Sequence, residues 1–250
     1  MMSDEIQLAK DGAVAVVTLN AVHRRNALSP AMAAELSAVC DEIDSDKTIG
    51  AAVIRGAGGH FCSGADRAVL KASEANPANE QSYADNSAVY GAFYRFGHLQ
   101  CPTVAAVQGA SVGAGMNLLL AADVRVIAED ARLISGFLRI GIHPGGGHFS
   151  LMSRLAGPQT AAAMSVFGVE LSGADALRVG IAWEAPPADK VDERAMAIAQ
   201  GAAHDPELAR LAVASLRSIA GPPATSWEVA LQAERAPQMW SLRRRGQASA

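Results

Sequence analysis

The stretch "TVAAVQGASVGAGMNLLLAADVRV", Thr103 to Val126, runs from an apolar strand through a string of small residues into a helix and on to a second strand. Inside it, Gly109-Ala110-Ser111-Val112-Gly113 fits G-x-S-x-G, the strand-to-helix turn that presents a nucleophilic serine. The same residues also fit a small-residue turn whose backbone N–H groups, at a helix start, bind an oxyanion without any nucleophile. A hydrolase needs an acid and then a histidine downstream, and Asp123 with His143 or His148 provides them in that order.

Outward from this stretch the pattern is strand, strand, helix, repeated. "IQLAK" and "VAVVTLN" flank Asp11-Gly12, a hairpin turn signal. Ser29-Pro30 precedes "AMAAELSAVCDEI", apolar at helical spacing, and "AAVIRG" reads as a buried strand before the glycine-rich "GAGGHFCSGAD". The polar "KASEANPANEQSYADNS" reads as a loop, followed by the helical "AVYGAFYRFGHL". "VRVIAE" and "RLISG" give two more strands. From about Leu151 the chain is mainly helical, interrupted at Pro186-Pro187 and Pro222-Pro223. These readings predict an α/β core over residues 1–190 and a helical C-terminal region over 191–250.

Composition narrows the function classes. The chain has 250 residues, half of them apolar, and a net charge of -4. With no long basic block there is no electrostatic reason to expect nucleic acid or an anionic membrane as partner. Apolar runs such as Met116 to Val124 are too short for a bilayer and contain Asn117 and Asp123. The opening "MMSDEIQLAK" carries acids where a secretion signal needs bases, so cytoplasm is the expected location. Cys40, Cys62 and Cys101 are odd in number and irregularly spaced, which argues for buried free thiols and against a disulfide framework or metal site.

Two glycine-rich segments carry the chemistry. "FCSGAD", Phe61 to Asp66, and "ASVGAGMN", Ala110 to Asn117, each follow a strand and let a ligand reach backbone N–H groups without meeting side chains. Together they can aim two donors at one carbonyl oxygen; removing one such donor typically costs about 3 to 4 kcal/mol of transition-state stabilisation. Tight strand-to-helix packing alone would also call for these glycines.

"HRRNALSP" (His23 to Pro30), "HFCSGAD", "VQGASVGAGMNLLLAADVRV" and "LRIGIHPGGG", in this order and spacing, resemble the crotonase superfamily, the enoyl-CoA hydratase/isomerase fold. The resemblance extends over about Ile6 to Pro186 and more loosely beyond. It implies an α/β spiral of ββα turns, a helical C-terminal region that builds homotrimers or dimers of trimers, and lyase or isomerase chemistry on an acyl-CoA in fatty acid metabolism. Coenzyme A would enter as part of the substrate, with no permanently bound cofactor and no metal. Carried over position by position, the oxyanion donors are the N–H groups of Ala65 and Ala114, the latter in place of the usual glycine. Arg24, Arg25, Ala27, Ser63, Gly64, Asp66 and Gly113 would border the substrate. Ser111 would then lie on the approach to the donor and not at a nucleophile elbow.

The resemblance also implies two carboxylates facing the acyl Cα–Cβ bond, at the positions of Asn117 and Phe137. Asn117 can orient water but cannot be a base, and Phe137 can do neither. A dehalogenase's nucleophilic aspartate would fall where the chain has Gly145. His143 and His148 are candidate substitutes, because imidazole titrates near neutral pH; His60 adjoins the first oxyanion segment. Capping and packing account equally for histidines at loop edges. Asp66 reads as structural, Cys62 and Phe61 as core, and Asn26 as a turn tie. Arg24 and Arg25, and a tail cluster of Arg243, Arg244 and Arg245 with Trp240, are expected near the nucleotide or at solvated surface. Three functions therefore stay open: an enzyme with non-standard acid/base groups, a non-catalytic acyl-CoA carrier, and a serine hydrolase at Ser111.

Overall fold

The computed structural model describes residues 4–219 and 227–248, without the side chains of residues 75, 219, 230, 241, 244, 245 and 248. Pro222-Pro223 and the side chains of Arg244 and Arg245 lie outside the described residues.

Strands β1 (Ile6–Asp11) and β2 (Val14–Leu19) form the expected antiparallel hairpin, Ile6 opposite Leu19, with Gly12 at φ +58° in the turn. Helix α1 (Pro30–Ser45) follows, its start fixed by Ser29, whose hydroxyl accepts the Met32 N–H at 3.2 Å. β3 (Ala51–Gly56), α2 (Arg67–Ala75) and α3 (Glu80–Gly97) make the next turn of chain. Then come β4 (Thr103–Val107), β5 (Ala110–Val112) and α4 (Ala114–Ala121), and after them β6 (Val124–Ile127), β7 (Arg132–Ile134) and α5 (His148–Ser165). The chain ends with β8 (Leu171–Ser172), α6 (Gly173–Arg178), α7 (Val191–Ala203), α8 (Pro206–Ile219) and α9 (Trp227–Ala248).

Two layers of strands run side by side. The main sheet has the order β1-β2-β3-β4-β6, parallel from β2 onward, and the smaller sheet the order β5-β7-β8. Parallel bridges from Leu28 to Ala65 and from Cys62 to Ser111 continue the smaller layer. Successive turns thus stack Leu28, Cys62 to Ala65, Ser111 and Leu133 in one layer while β2, β3, β4 and β6 stack in the other. This is the α/β spiral of ββα turns, with a bridge-forming segment standing in for a strand after β3. Strands β2, β3 and β4 read as nearly continuous apolar runs because they are covered on both sides, α7 packing along β2, β3, β4 and β6.

One expectation fails. The polar segment from Lys71 to Ser87 is not a loop: α2 and α3 occupy it, with only residues 76–79 between them. Asp66 accepts the Ala68 N–H at 2.8 Å and Asn79 the Ser82 N–H at 2.7 Å, so both helices are capped. Apart from the buried Ser73 and Ser82, their polar residues lie wholly or partly toward solvent, while Val89, Tyr90, Phe93 and Phe96 of α3 face the core. Composition hides the helices; the caps are the readable signal. Among the described residues no helix is long and apolar enough to cross a membrane.

Candidate active site

The turn between β5 and α4 packs backbone against backbone on the segment after β3. Val112 N–H donates to the Cys62 carbonyl at 3.0 Å and Cys62 N–H to the Ala110 carbonyl at 3.3 Å. A Cβ on Gly115 would strike the Cys62 carbonyl oxygen, so only glycine permits this approach. At Gly64, φ +102°, a Cβ would lie 2.9 Å from the Val112 carbonyl oxygen and 3.8 Å from the Ala114 nitrogen. The residue before Ala65 therefore lies against the turn that opens α4, with no room for a side chain between them. Ala114 has no intrahelical acceptor for its N–H, being first in its helix, and among the described residues neither its N–H nor that of Ala65 meets an acceptor. Both alanines are half-buried. The two segments thus each carry one backbone N–H without an acceptor among the described residues, where their backbones come close.

The neighbouring loop is braced from within. Asn26, buried at φ +57°, donates to the carbonyls of Ala57 at 2.9 Å and His60 at 2.8 Å, tying the turn as expected. Ser63 N–H and Oγ–H donate to the carbonyls of Arg25 and Arg24, and Leu28 N–H donates to the Gly64 carbonyl at 2.7 Å. Arg24 is gripped by both carboxylate oxygens of Glu5 and donates to the Ala27 carbonyl at 2.9 Å, so its charge is answered inside the chain. Arg25 is exposed, and among the described residues it has no ion pair. Asp66 spends its carboxylate on the α2 cap, the structural role expected for it.

The G-x-S-x-G reading finds no triad. Ser111 is completely buried in β5, and its hydroxyl has no hydrogen-bond partner among the described residues. Asp123 instead holds Thr103 N–H and Oγ and pairs with Arg217. His143 places Nδ1 against the Pro144 carbonyl oxygen and its ring against Phe149, and His148 is bonded elsewhere. Burial pushes the Cys62 thiol up to about 12, which leaves it unionised at neutral pH. A fluorophosphonate is expected to leave the protein unlabelled by intact-mass spectrometry; an adduct on Ser111 would restore the hydrolase reading.

Asn117, Phe137 and His148 form one cluster. Asn117 lies one turn after Ala114 on α4, and its amide donates to the Gly145 carbonyl at 2.9 Å. Its Oδ1 faces His148 Nδ1 at 2.7 Å, while His148 Nε2 faces Ser135 Oγ at 2.9 Å. A neutral imidazole satisfies both contacts by donating from Nδ1 and accepting Ser135 O–H at Nε2. Burial lowers the His148 pKa to about 3, so the ring is neutral at ordinary pH. With both nitrogens engaged it has no lone pair free to take a substrate proton. The edge of Phe137 meets the His148 ring at 4.9 Å between centroids and lies beside the Gly113 turn.

Helix α9 closes the back of this cluster through Trp227, Leu231, Glu234 and Gln238, a buried stripe at helical spacing. Glu234 accepts the N–H groups of Gly147, His148 and Phe149 at 2.8, 3.0 and 3.2 Å, capping α5 where Gly147 has no side chain to do so. Burial outweighs these bonds and raises its pKa to about 7. Trp227 Nε1–H donates to the Gly146 carbonyl at 3.2 Å. Sequence reasoning missed Ser135, Ser165, Trp227 and Glu234; helical spacing of apolar residues in α9 was the only local signal.

The enoyl-CoA hydratase/isomerase family model matches residues 9–231, most of the chain, including both glycine-rich segments and the Asn117, Phe137 and His148 cluster. The chain belongs to the enoyl-CoA hydratase/isomerase family. A probable enoyl-CoA hydratase of Mycobacterium tuberculosis is 37% identical over 243 residues, covering 96% of this chain and 93% of that protein. The 1,2-epoxyphenylacetyl-CoA isomerase of Escherichia coli is 28% identical, covering 77% of this chain and 74% of that protein. Among solved structures, an enoyl-CoA hydratase from Mycobacterium avium subsp. paratuberculosis superposes with TM-score 0.81 at 24% identity, covering 96% of this chain and 90% of that one, which shows the crotonase fold. Family membership points to an acyl-CoA substrate. It does not select a reaction, since relatives named for hydration and for isomerisation both match.

Proposed function

We infer that the chain binds an acyl-CoA thioester, holds its carbonyl oxygen between the N–H groups of Ala65 and Ala114, and stabilises the thioester enolate there. The observation that carries this reading is the pair of acceptor-free donors on two segments whose backbones touch at Gly64. Coenzyme A is part of the substrate, and Arg25 is the outward cation suited to its phosphates. A trimer or dimer of trimers belongs to the same reading; exposed Phe167 and Trp183 are apolar surface that such contacts would cover.

At the positions where a hydratase would carry carboxylates, Asn117 and Phe137 offer no base. One observation favours a carrier without turnover: the Asn117 amide is already committed at both ends, to Gly145 and His148. Incubation with a panel of acyl-CoAs and mass analysis of the products separates enzyme from carrier.

The donor pair itself is tested with Ala114→Pro. Proline suits the first position of a helix, so α4 is expected to survive while the N–H is lost. Calorimetry should show acyl-CoA binding weakened about tenfold or more, with binding of free CoA retained. Equal acyl-CoA affinity in both proteins would remove Ala114 from the site.

A further inference from the structure

The donor at Ala114 belongs to the Gly113–Ala114 peptide, and Gly113 has φ +53° and ψ -111°, a conformation that its missing Cβ leaves soft. The carbonyl of that same peptide accepts the backbone N–H of Asn117 at 3.2 Å. Whatever fixes Asn117 therefore fixes the plane of the peptide whose other edge points at the substrate. The Asn117 side chain is pinned twice, by donation to Gly145 at 2.9 Å and by His148 Nδ1 at 2.7 Å. Reversing the carboxamide would set two carbonyls together at Gly145 and two N–H groups together at His148, so one orientation alone satisfies every group. His148 is in turn oriented by Ser135 at 2.9 Å, with Ser165 Oγ 3.5 Å beyond, and its ring is held by the Phe137 edge. All of Asn117, Ser135, His148 and Ser165 are buried, so each lost contact would leave an unpaired polar group.

We propose that His148 is the positioning residue of the thioester site: donating from Nδ1, it locks the Asn117 carboxamide and with it the Gly113–Ala114 peptide, so that the Ala114 N–H stays aimed at the thioester oxygen. This rests on the reading that Ala65 and Ala114 hold that oxygen. His148 acts through Asn117 and touches no substrate atom.

The test uses the CoA thioester of para-dimethylaminocinnamic acid, whose absorbance moves to longer wavelength when donors polarise its carbonyl. Native protein should bind it and shift its band. His148→Asn places an amide N–H near the Nδ1 position and should restore the shift, whereas His148→Gln places its amide near Nε2 and should lose it. Affinity for the probe should fall about tenfold in His148→Gln while affinity for free CoA holds, the factor expected from one lost buried hydrogen bond. A full shift in His148→Gln overturns the positioning role. No binding or no shift in the native protein overturns the thioester reading itself, a separate failure. Nitrogen-15 NMR of the native protein should show Nδ1 protonated and Nε2 bare, and it needs no variant to fold. The opposite tautomer would also overturn the proposal.

Discussion

Hydration of a short enoyl-CoA by the native chain is expected to run close to the uncatalysed background, and Asn117→Glu combined with Phe137→Glu to raise it by roughly 10²–10⁴-fold, the range that positioned acid/base groups contribute. Water addition needs a base within about 3 Å of the water and a proton for Cα. The Asn117 amide has no basic group, and both its polar ends are tied to Gly145 and His148. In the double variant, the carboxylate introduced in place of Asn117 would meet the Nδ1–H of His148, a contact that favours its charged form. The carboxyl introduced in place of Phe137 would sit beside apolar neighbours that raise its pKa and so suit it to deliver a proton. Crowding sets the ceiling, because a Cβ on Gly146 would lie only 2.8 Å from the Asn117 amide nitrogen and a longer side chain must displace that loop. The assay is loss of the enoyl absorbance, with His143→Ala and His148→Ala as companions. Fast native hydration that survives both histidine changes would show that the acid/base groups lie elsewhere. Fast hydration abolished by one of them would make that histidine the substitute.

The parts of this site that are legible in the sequence are those fixed by local rules. Gly64 and Gly115 are required by close approach of two backbones and Gly113 by its positive φ, and they stand beside the strands and helix that periodicity predicts. Ser29-Pro30 and Asp11-Gly12 mark a helix start and a hairpin turn at the right places. Polar composition misleads over residues 71–87, because amphipathic helices lying on a surface are polar over most of their circumference. The roles of the histidines are less legible still. His148 is visible as a titratable group near the site, but its character depends on Asn117 and Ser135, partners separated from it by 31 and 13 residues. Those contacts convert a candidate base into a neutral brace. Glu234 reaches its acceptor role across 87 residues to Gly147, and nothing local distinguishes it from any other glutamate on a helix. Tertiary contact, more than residue type, decides the chemistry of each.

Acid should expose the opposition between these two buried groups. His148 has its pKa lowered from 6.5 to about 3, so its contribution to stability is complete above pH 6.5 and is lost as pH falls toward 3. Glu234 has its pKa raised from 4.5 to about 7; its contribution is complete below pH 4.5 and is lost as pH rises toward 7. Between pH 6.5 and 4.5 acidification therefore costs stability at His148 and adds it at Glu234, and the two offset one another. Below pH 4.5 Glu234 has nothing more to give, and of these two groups only His148 goes on losing stability; the carboxylates held low by ion pairs, Glu170, Asp175 and Glu184, add a loss that high salt reduces. The full shifts correspond to about 5 kcal/mol for the histidine and about 3 kcal/mol for the glutamate as upper bounds. Urea unfolding of the native protein in high salt, which screens exposed pairs such as Lys10–Asp46, should be nearly flat from pH 6.5 to 4.5 and then fall steeply. Glu234→Gln should begin its decline already near pH 6.5, whereas His148→Asn should gain stability on acidification to pH 4.5 and lose the steep limb below it. The slopes separate the groups even though each substitution also changes the midpoint at neutral pH, because only a titrating group changes the number of protons bound on unfolding. An acid limb of the same steepness in His148→Asn as in the native protein would place the sensitive group somewhere other than the imidazole beside Asn117.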